Sequence, residues 1–360
     1  MTNNEIKILF FDDDEKDLKK YSSVLSEPNK IKVIEVLPPE HLNELDLSSQ
    51  PDLVLIDYKL TQRQPSGISA TYYGDTLSTY ILENLPEIPI LILSTRDVLK
   101  LFPKYEEEIQ NADHVIYKTD VYQYPSYWKT FLTSLVQNFK KIANIEKHSR
   151  TWQILMKLLK ANIIEVEELQ RAAPPRFKSS SYWTIHSVAR WILHVLFKYP
   201  GVLYDDLHAS AALGINKEDF LLKEVQSFFR KALYTGLFSE IKKLWWRDQL
   251  QELAFKCIRE EKLEPLLSRN FRIAFERKTT QKLKPSICVF SNEENANSIC
   301  YILKKPVKMK YTLEYLPDNR PEVMETARIS FKAILEEDID ESKLPLAEFE
   351  RLNDIRKKYS

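Results

Sequence analysis

Short apolar segments alternate with amphipathic stretches through the first part of the chain. The apolar segments have the length and composition of buried strands, whereas the amphipathic stretches carry apolar residues at helical spacing. This alternation predicts a doubly wound parallel sheet with helices on both faces. The five predicted strands are Lys7–Phe11, Ile31–Val36, Leu53–Ile56, Ile90–Leu93 and Val115–Tyr117, and the predicted helices are Asp17–Leu25, Asp75–Leu85 and Tyr127–Ile142.

The pattern changes after residue 145 and again near residue 285. Residues 146–284 carry apolar residues mostly at helical spacing, which predicts a mainly α-helical domain with helices over Trp183–Phe197, Phe220–Leu233 and Leu244–Ile258. Residues 285–360 predict a small α+β segment, with a β-hairpin of Ile287–Phe290 and Ser298–Ile302 and with helices over Glu322–Glu336 and Leu346–Lys358. The chain is therefore expected to contain three regions, 1–145, 146–284 and 285–360.

The amino-acid composition argues against several classes of function. Lys and Arg together number 52, as do Asp and Glu, so this chain of 360 residues has no net charge to favour nucleic acid or an anionic membrane. Only five glycines occur, which weighs against a glycine-rich phosphate loop. The three cysteines form no CxxC pair and indicate free thiols in a reducing compartment. Without a signal sequence or a long apolar segment, the protein is expected to be soluble and cytoplasmic.

Polar residues directly follow four of the predicted strands. The acidic run Asp12–Asp14 comes after the first strand, Asp57 after the third, Ser94 after the fourth and Lys118 after the fifth. The carboxyl ends of parallel strands meet at one edge of a doubly wound sheet, where ligands bind, so these side chains are expected to lie together. Carboxylates, a hydroxyl and an amine in one place predict a site that accepts a phosphoryl group.

On these residues, the first region resembles the receiver domain of two-component response regulators, which has a flavodoxin-like fold. The resemblance implies that Asp57 is phosphorylated by a partner histidine kinase, and that Mg²⁺ is held by Asp12, Asp13, Asp57 and the backbone carbonyl of Lys59. Lys118 would pair with the phosphoryl oxygens, and the hydroxyl of Ser94 would bind the same group after transfer. A divalent cation is needed because the attacking carboxylate and the phosphoryl group are both anionic.

Some features depart from the pattern of that family. Thr119 follows the lysine where receivers usually have proline, and Val115 stands where they commonly have a Tyr or Phe that turns with the hydroxyl switch. The segment Tyr58–Tyr73 is longer than the usual loop and predicts an insertion beside the acceptor, either a lid or a docking loop for the kinase. Lys59 and Arg96 add positive charge beside the site.

The rest of the chain contains no output motif with a defined chemistry. Lys217–Phe229 imitates a DNA-recognition helix, but its acidic start and its few base-reading side chains argue against DNA binding. His186, Arg190 and His194 share one face of a predicted helix. This helix is so apolar that packed histidines are a better interpretation than a metal or phosphate site.

The architecture resembles that of atypical receiver proteins in bacterial conflict systems, such as the Detocs-type antiviral systems. This resemblance implies a protein that accepts phosphate from a histidine kinase and acts through protein contacts, as a phosphate sink beside a second regulator or an effector protein. A homodimer is compatible with this role, and no enzymatic activity is expected beyond self-catalysed phosphotransfer to Asp57. Two other classes stay open, namely a phosphorylation-controlled transcription regulator and a receiver-gated enzyme.

Overall fold

A computed structural model describes residues 5–48, 50–95, 111–145, 149–174, 177, 183–317 and 324–359. Contacts group these residues into two units, where the sequence predicts three regions. The first unit comprises the described residues up to 151 together with 183–193, and the second comprises those from 152 to 177 and from 194 onward. Residues 285–360 therefore share a unit with most of the predicted helical region.

The strands and helices follow one another along the chain as β1 Ile6–Phe11, α1 Glu15–Leu25, β2 Ile31–Val36, β3 Leu53–Asp57, α2 Gly74–Asn84, β4 Ile90–Ser94, β5 His114–Tyr117, α3 Lys118–Gln123, α4 Pro125–Ala143, α5 Trp152–Leu159, α6 Ile163–Ala172, α7 Ile185–Trp191, β6 Leu203–Tyr204, α8 Asp206–Ala212, α9 Lys217–Phe220, α10 Lys223–Phe228, β7 Trp245–Trp246, α11 Arg247–Glu260, α12 Leu267–Thr279, β8 Ser298–Ile299, β9 Pro306–Val307, β10 Thr312–Tyr315, β11 Ala327–Ser330, α13 Phe331–Glu336 and α14 Phe349–Tyr359. A π-helical turn, Ile192–Leu196, follows α7. No helix in the described part of the chain has both the length and the apolar content to cross a membrane.

The first unit is built on one parallel sheet. Its strands lie in the order β2-β1-β3-β4-β5, which is the flavodoxin-like order of doubly wound folds. The register pairs Ile8 with Leu53, Val54 with Ile90, and Leu91 with His114. All of β3 and β4 is buried, as expected of strands covered on both faces. The predicted five-stranded parallel sheet is therefore confirmed.

Helix α7 belongs to the first unit although it lies far along the chain. The Nδ1 of His186 lies 2.8 Å from Oδ1 of Asp113, the residue before β5, and its Nε2 lies 3.0 Å from the carbonyl oxygen of Pro86. The same Asp113, which is fully buried, accepts a 2.8 Å hydrogen bond from the Ile90 amide at the start of β4. The buried position and these hydrogen bonds support the packed interpretation of His186.

The second unit contains short β-ladders that the sequence did not predict. Strands β6 and β7 pair antiparallel within the region that was expected to be mainly helical, with Leu203 opposite Trp246. The helix predicted over Phe220–Leu233 is instead divided into α9, α10 and a 3₁₀ turn, Arg230–Ala232. A continuous recognition helix over Lys217–Phe229 is therefore not formed.

The C-terminal part of the second unit also differs from the prediction. β8 pairs with β9, whereas the predicted partner Ile287–Phe290 makes only an isolated bridge, from Ile287 to Glu294. Where a single helix was predicted over Glu322–Glu336, β11 pairs antiparallel with β10 before the short α13 begins. Residues 322 and 323 of that prediction lie outside the described part of the chain. The three cysteines are buried and free, as predicted.

Candidate functional site

The polar residues that follow the strands meet at the carboxyl edge of the sheet. Asp57 is the last residue of β3 and pairs in register with Leu93, the neighbour of Ser94 at the end of β4. Asp12, Asp13, Asp57, Ser94 and Lys118 are all buried. The carboxylates of Asp12, Asp13 and Asp57 place oxygen atoms within 4.8 Å of one another. The sequence prediction that these side chains converge is correct for this carboxylate cluster.

Lys118 is the cationic centre of the cluster. Its Nζ lies 2.9 Å from Oδ2 of Asp12, 2.9 Å from Oδ1 of Asp57 and 2.8 Å from Oδ2 of Asp17. Asp17, in the first turn of α1, was not predicted as a site residue. Its spacing in the sequence could have identified it. Asp17 lies about one helical turn after Asp13 and Asp14, which places its side chain near the same edge of the sheet.

The cluster holds more negative charge than one ammonium group balances. Burial raises the pKa of Asp57 to about 7, opposed by the charge of Lys118 and reinforced by that of Asp12. Burial also raises the pKa values of Asp12 and Asp13. Burial would lower the pKa of Lys118, but the charges of Asp57 and Asp12 outweigh that effect and raise it. Crowded buried carboxylates of this kind favour a bound cation.

The donor set suits Mg²⁺, which prefers oxygen ligands and usually takes only a few carboxylates. Asp12, Asp13 and Asp57 supply such oxygens from one buried cluster. Asp14 has a different task, because its side chain caps α1 by accepting a 2.8 Å hydrogen bond from the Lys16 amide. The amide of Lys59 donates a 3.0 Å hydrogen bond to Oδ2 of Asp57, while the metal-binding role of its carbonyl stays a prediction.

The strand order, together with the carboxylate triad, Ser94 and Lys118 at one sheet edge, identifies the fold of the first unit. The first unit has a receiver fold. No family model matches the chain, and no curated protein matches it.

Solved receiver structures resemble about two fifths of the chain. The signal receiver domain of an HD domain-containing protein from Pseudomonas fluorescens is 19% identical, with 41% of this chain and 97% of that chain covered and a TM-score of 0.31. A receiver domain protein from Clostridium thermocellum is 19% identical, with 39% and 99% covered and a TM-score of 0.27. The response regulator DrrB of Thermotoga maritima is 22% identical, with 37% and 53% covered and a TM-score of 0.27.

The first unit departs from the usual receiver pattern in the loop after β5. Helix α3 begins at Lys118 itself, so Thr119 already lies in a helix, and the described residues contain no cis peptide bond. Val115 is half-buried in β5. The hydroxyl of Ser94 lies 3.4 Å from the carbonyl oxygen of Thr95. Arg96, predicted to add charge beside the site, lies outside the described residues.

The inserted segment Tyr58–Tyr73 is packed against the chain that follows β2. Gln64 is buried and its Nε2 donates a 2.7 Å hydrogen bond to the carbonyl oxygen of Pro38. The hydroxyl of Tyr72, also buried, donates a 2.9 Å bond to the carbonyl oxygen of Pro39. The amide of Gln62 donates to the carboxylate of Asp13, which ties the inserted segment directly to the acidic cluster.

Replacing Tyr72 by phenylalanine tests how firmly the inserted segment is anchored. At neutral pH, Tyr72→Phe is expected to lower the free energy of unfolding by about 1 kcal/mol, because it removes one buried hydrogen bond. Burial, aided by the charge of Glu44, raises the pKa of Tyr72 to about 12 in the folded protein. The unfolded chain therefore loses the Tyr72 proton near pH 10, before the folded protein does, and the contribution of Tyr72 to stability falls as the pH rises from about 10 to 12.

Urea unfolding of wild type and Tyr72→Phe at a series of pH values checks this prediction. The other tyrosines titrate alike in both proteins, so they do not contribute to the difference in free energy of unfolding. This difference should therefore shrink above pH 10. A difference that stays constant from neutral pH to pH 12 would contradict the buried position of the hydroxyl.

Proposed function

We propose that the protein is a response-regulator-like signalling protein that accepts a phosphoryl group on Asp57 from a phosphohistidine of a histidine kinase. The observation that carries the proposal is the contact of the Lys118 Nζ with both Asp57 and Asp12 inside a buried acidic cluster. A carboxylate held beside a fixed ammonium and two further carboxylates has the composition of a phosphoryl-transfer site, in which positioning and charge neutralisation supply most of the catalysis.

In the proposed reaction, a carboxylate oxygen of Asp57 attacks the phosphorus of the phosphohistidine. A P–O bond forms as the P–N bond breaks, and the imidazole leaves with the electron pair and takes up a proton. Mg²⁺, held by Asp12, Asp13 and Asp57 with the Lys59 carbonyl, would neutralise the charge of the transferred group when bound. Lys118 would exchange part of its present carboxylate contacts for phosphoryl oxygens.

Ser94 and Lys118 would couple the new charge on Asp57 to a change in structure. They lie at the ends of neighbouring strands, β4 and just after β5, so a dianion on Asp57 would bias both elements at once. We infer that the output is a change in protein contacts, with the histidine kinase and a second regulator or effector as partners. The phosphate-sink role and the antiviral setting are part of the same proposal, and they rest on the resemblance of architecture alone.

Intact-mass measurement tests the phosphoacceptor. After incubation with Mg²⁺ and acetyl phosphate, the wild type should gain a single phosphoryl adduct, while Asp57→Ala should gain none. Asp46→Ala is the matched control, since Asp46 lies on an exposed loop of the same unit, and it should be phosphorylated like the wild type. A sink is expected to keep its adduct longer than a rapid signalling protein would. No adduct with acetyl phosphate or a phosphorylated kinase would overturn the proposal.

A further inference from the structure

The second unit contains a large cleft that the phosphoacceptor chemistry does not use. Its volume is about 1210 Å³, and helix α8 together with the segments before β7 and after β8 contributes to its walls. Small-molecule sites commonly measure about 300–1,000 Å³, so this cleft has room for a ligand of the size of a nucleotide.

The cleft concentrates positive charge in a chain whose formal net charge is zero. Its lining includes six cationic and three acidic side chains, an excess of three positive charges with histidine neutral. The cationic residues are Lys198, Lys217, Lys242, Lys243, Lys304 and Arg328, and the acidic residues are Asp205, Asp206 and Glu325. Clefts lined by one sign of charge focus the field and raise the local concentration of oppositely charged ligands.

The acidic side chains of the cleft have their own partners within the unit. Asp205 accepts a hydrogen bond from the His208 amide at 2.9 Å and contacts Nδ1 of the same histidine at 2.7 Å. Asp206 accepts a 2.8 Å bond from the indole nitrogen of Trp245, and Glu325 accepts a bond from the hydroxyl of Tyr204. These carboxylates are therefore already engaged.

Two lysines of the cleft, Lys242 and Lys304, have partners that carry no negative charge. Lys242, half-buried, donates a 2.7 Å hydrogen bond to the carbonyl oxygen of Phe197, and the exposed Lys304 places its Nζ 4.0 Å from the ring centre of Tyr301. Among the described residues, neither ammonium group has a carboxylate oxygen within 4.0 Å. Two ammonium groups on one cleft without a carboxylate on either favour an anionic ligand.

The electrostatics of the two lysines agree with this geometry. Burial lowers the pKa of Lys242, and the charge of Asp205 opposes that effect only in part. Partial desolvation lowers the pKa of Lys304 as well; the electrostatic influence of Cys300 and Asp205 opposes that effect, and the charge of Lys242 adds to it. An anionic group beside either ammonium group would favour its charged form.

Apolar side chains complete the lining. Tyr301 and Phe255 are half-buried, while Leu266 and Met309 expose 47% and 50% of their surface. Aromatic faces beside lysines suit a flat base joined to a phosphate, because the base stacks while the lysines pair with the oxygens. We propose that this cleft binds a nucleoside phosphate, with its phosphates at Lys242 and Lys304.

Isothermal titration calorimetry of the full chain with ATP, in the absence of Mg²⁺, tests the cleft. The wild type should bind ATP more tightly than pyrophosphate, and adenosine should bind too weakly to detect. Lys242→Gln and Lys304→Gln should each weaken ATP binding about tenfold or more, as expected for the loss of a charge-assisted contact. Lys231→Gln, an exposed lysine of the same unit outside the cleft, is the matched control and should bind like the wild type.

Several outcomes would overturn the proposal. The wild type failing to bind ATP at millimolar concentration is one, and both cleft variants binding like Lys231→Gln is another. Single-stranded RNA displacing ATP with higher affinity would assign the cleft to nucleic acid instead. Lys304→Gln keeps the test valid if Lys242→Gln unfolds, since among the described residues the ammonium group of Lys304 donates no hydrogen bond to a backbone carbonyl. Asp57→Ala should bind ATP normally, so the result is independent of the phosphoacceptor proposal.

Discussion

Lys118→Met is expected to lower the free energy of unfolding of the first unit by about 3–5 kcal/mol when Mg²⁺ is removed by a chelator. Breaking a buried ion pair by removal of one partner has this order of effect, because the remaining charge is left uncompensated. Here the ammonium contacts Asp12, Asp17 and Asp57 within 2.9 Å, and its loss leaves all three carboxylates without their cation. Urea unfolding at pH 7.5 measures the effect.

Added Mg²⁺ should restore much of the stability that Lys118→Met loses. A ligand that binds only the folded state stabilises it by mass action, and the metal supplies the positive charge that the variant lacks. The gain on adding Mg²⁺ should therefore be larger in Lys118→Met than in the wild type. Lys19→Met is the matched control, because Lys19 makes an exposed pair with Glu15 at 3.9 Å and its loss should change stability by about 0.5 kcal/mol or less. Equal stabilities of Lys118→Met and wild type in chelator would contradict the charge argument.

The acidic cluster could be predicted from the sequence because parallel strands impose a simple rule. Their carboxyl ends share one edge, so a residue that directly follows a strand is placed by the strand itself. Asp12, Asp57 and Lys118 are residues of this kind, and they lie together as predicted, with the Lys118 ammonium group in contact with both carboxylates. Asp17 was missed because an acidic residue in the first turn of a helix already has a sufficient explanation in the helix dipole.

The inserted segment shows where pattern analysis fails. Tyr58, Leu60, Ala70 and Tyr72 are buried, but their spacing fits neither a helix nor a strand. Their burial depends on tertiary contacts with the residues after β2, such as the bond from Tyr72 to Pro39, which no local periodicity encodes. The sequence therefore predicts a long segment after Asp57 without predicting its packing.

The secondary structure of the second unit was harder to predict from the sequence, because it too depends on long-range contacts. Its strands are only two to four residues long, and short apolar runs do not distinguish a strand from a helix by periodicity. The run Ala327–Ser330 pairs with β10 through long-range contacts, although it lies within a stretch that has helical spacing. The cleft depends on the same long-range packing, because residues from about 198 to 328 contribute to it.

Gly74→Ala is expected to disturb Asp57, although the two residues are far apart in the sequence. A Cβ at Gly74 would lie 2.5 Å from the carbonyl oxygen of Asp57 and 3.0 Å from Cα of Tyr58, so backbone must move to accommodate it. The amide of Gly74 also donates a 2.8 Å hydrogen bond to the carbonyl of Tyr58, which fixes the start of α2 against the end of β3. Overpacking of this kind costs about 1–3 kcal/mol of folding free energy.

The larger effect of Gly74→Ala should be on phosphorylation, if Asp57 is the acceptor. A displacement of about 1 Å in a reacting group can slow transfer about 100-fold, because the attacking oxygen leaves its productive position. The initial rate of adduct formation with acetyl phosphate measures this effect. Thr76→Ala, at an exposed position in the same helical turn, is the matched control and should be phosphorylated at the wild-type rate. If Gly74→Ala matched the wild type in both stability and rate, the close approach of α2 to the acceptor strand would have no functional consequence, and Asp57 would depend on its strand and Lys118 alone.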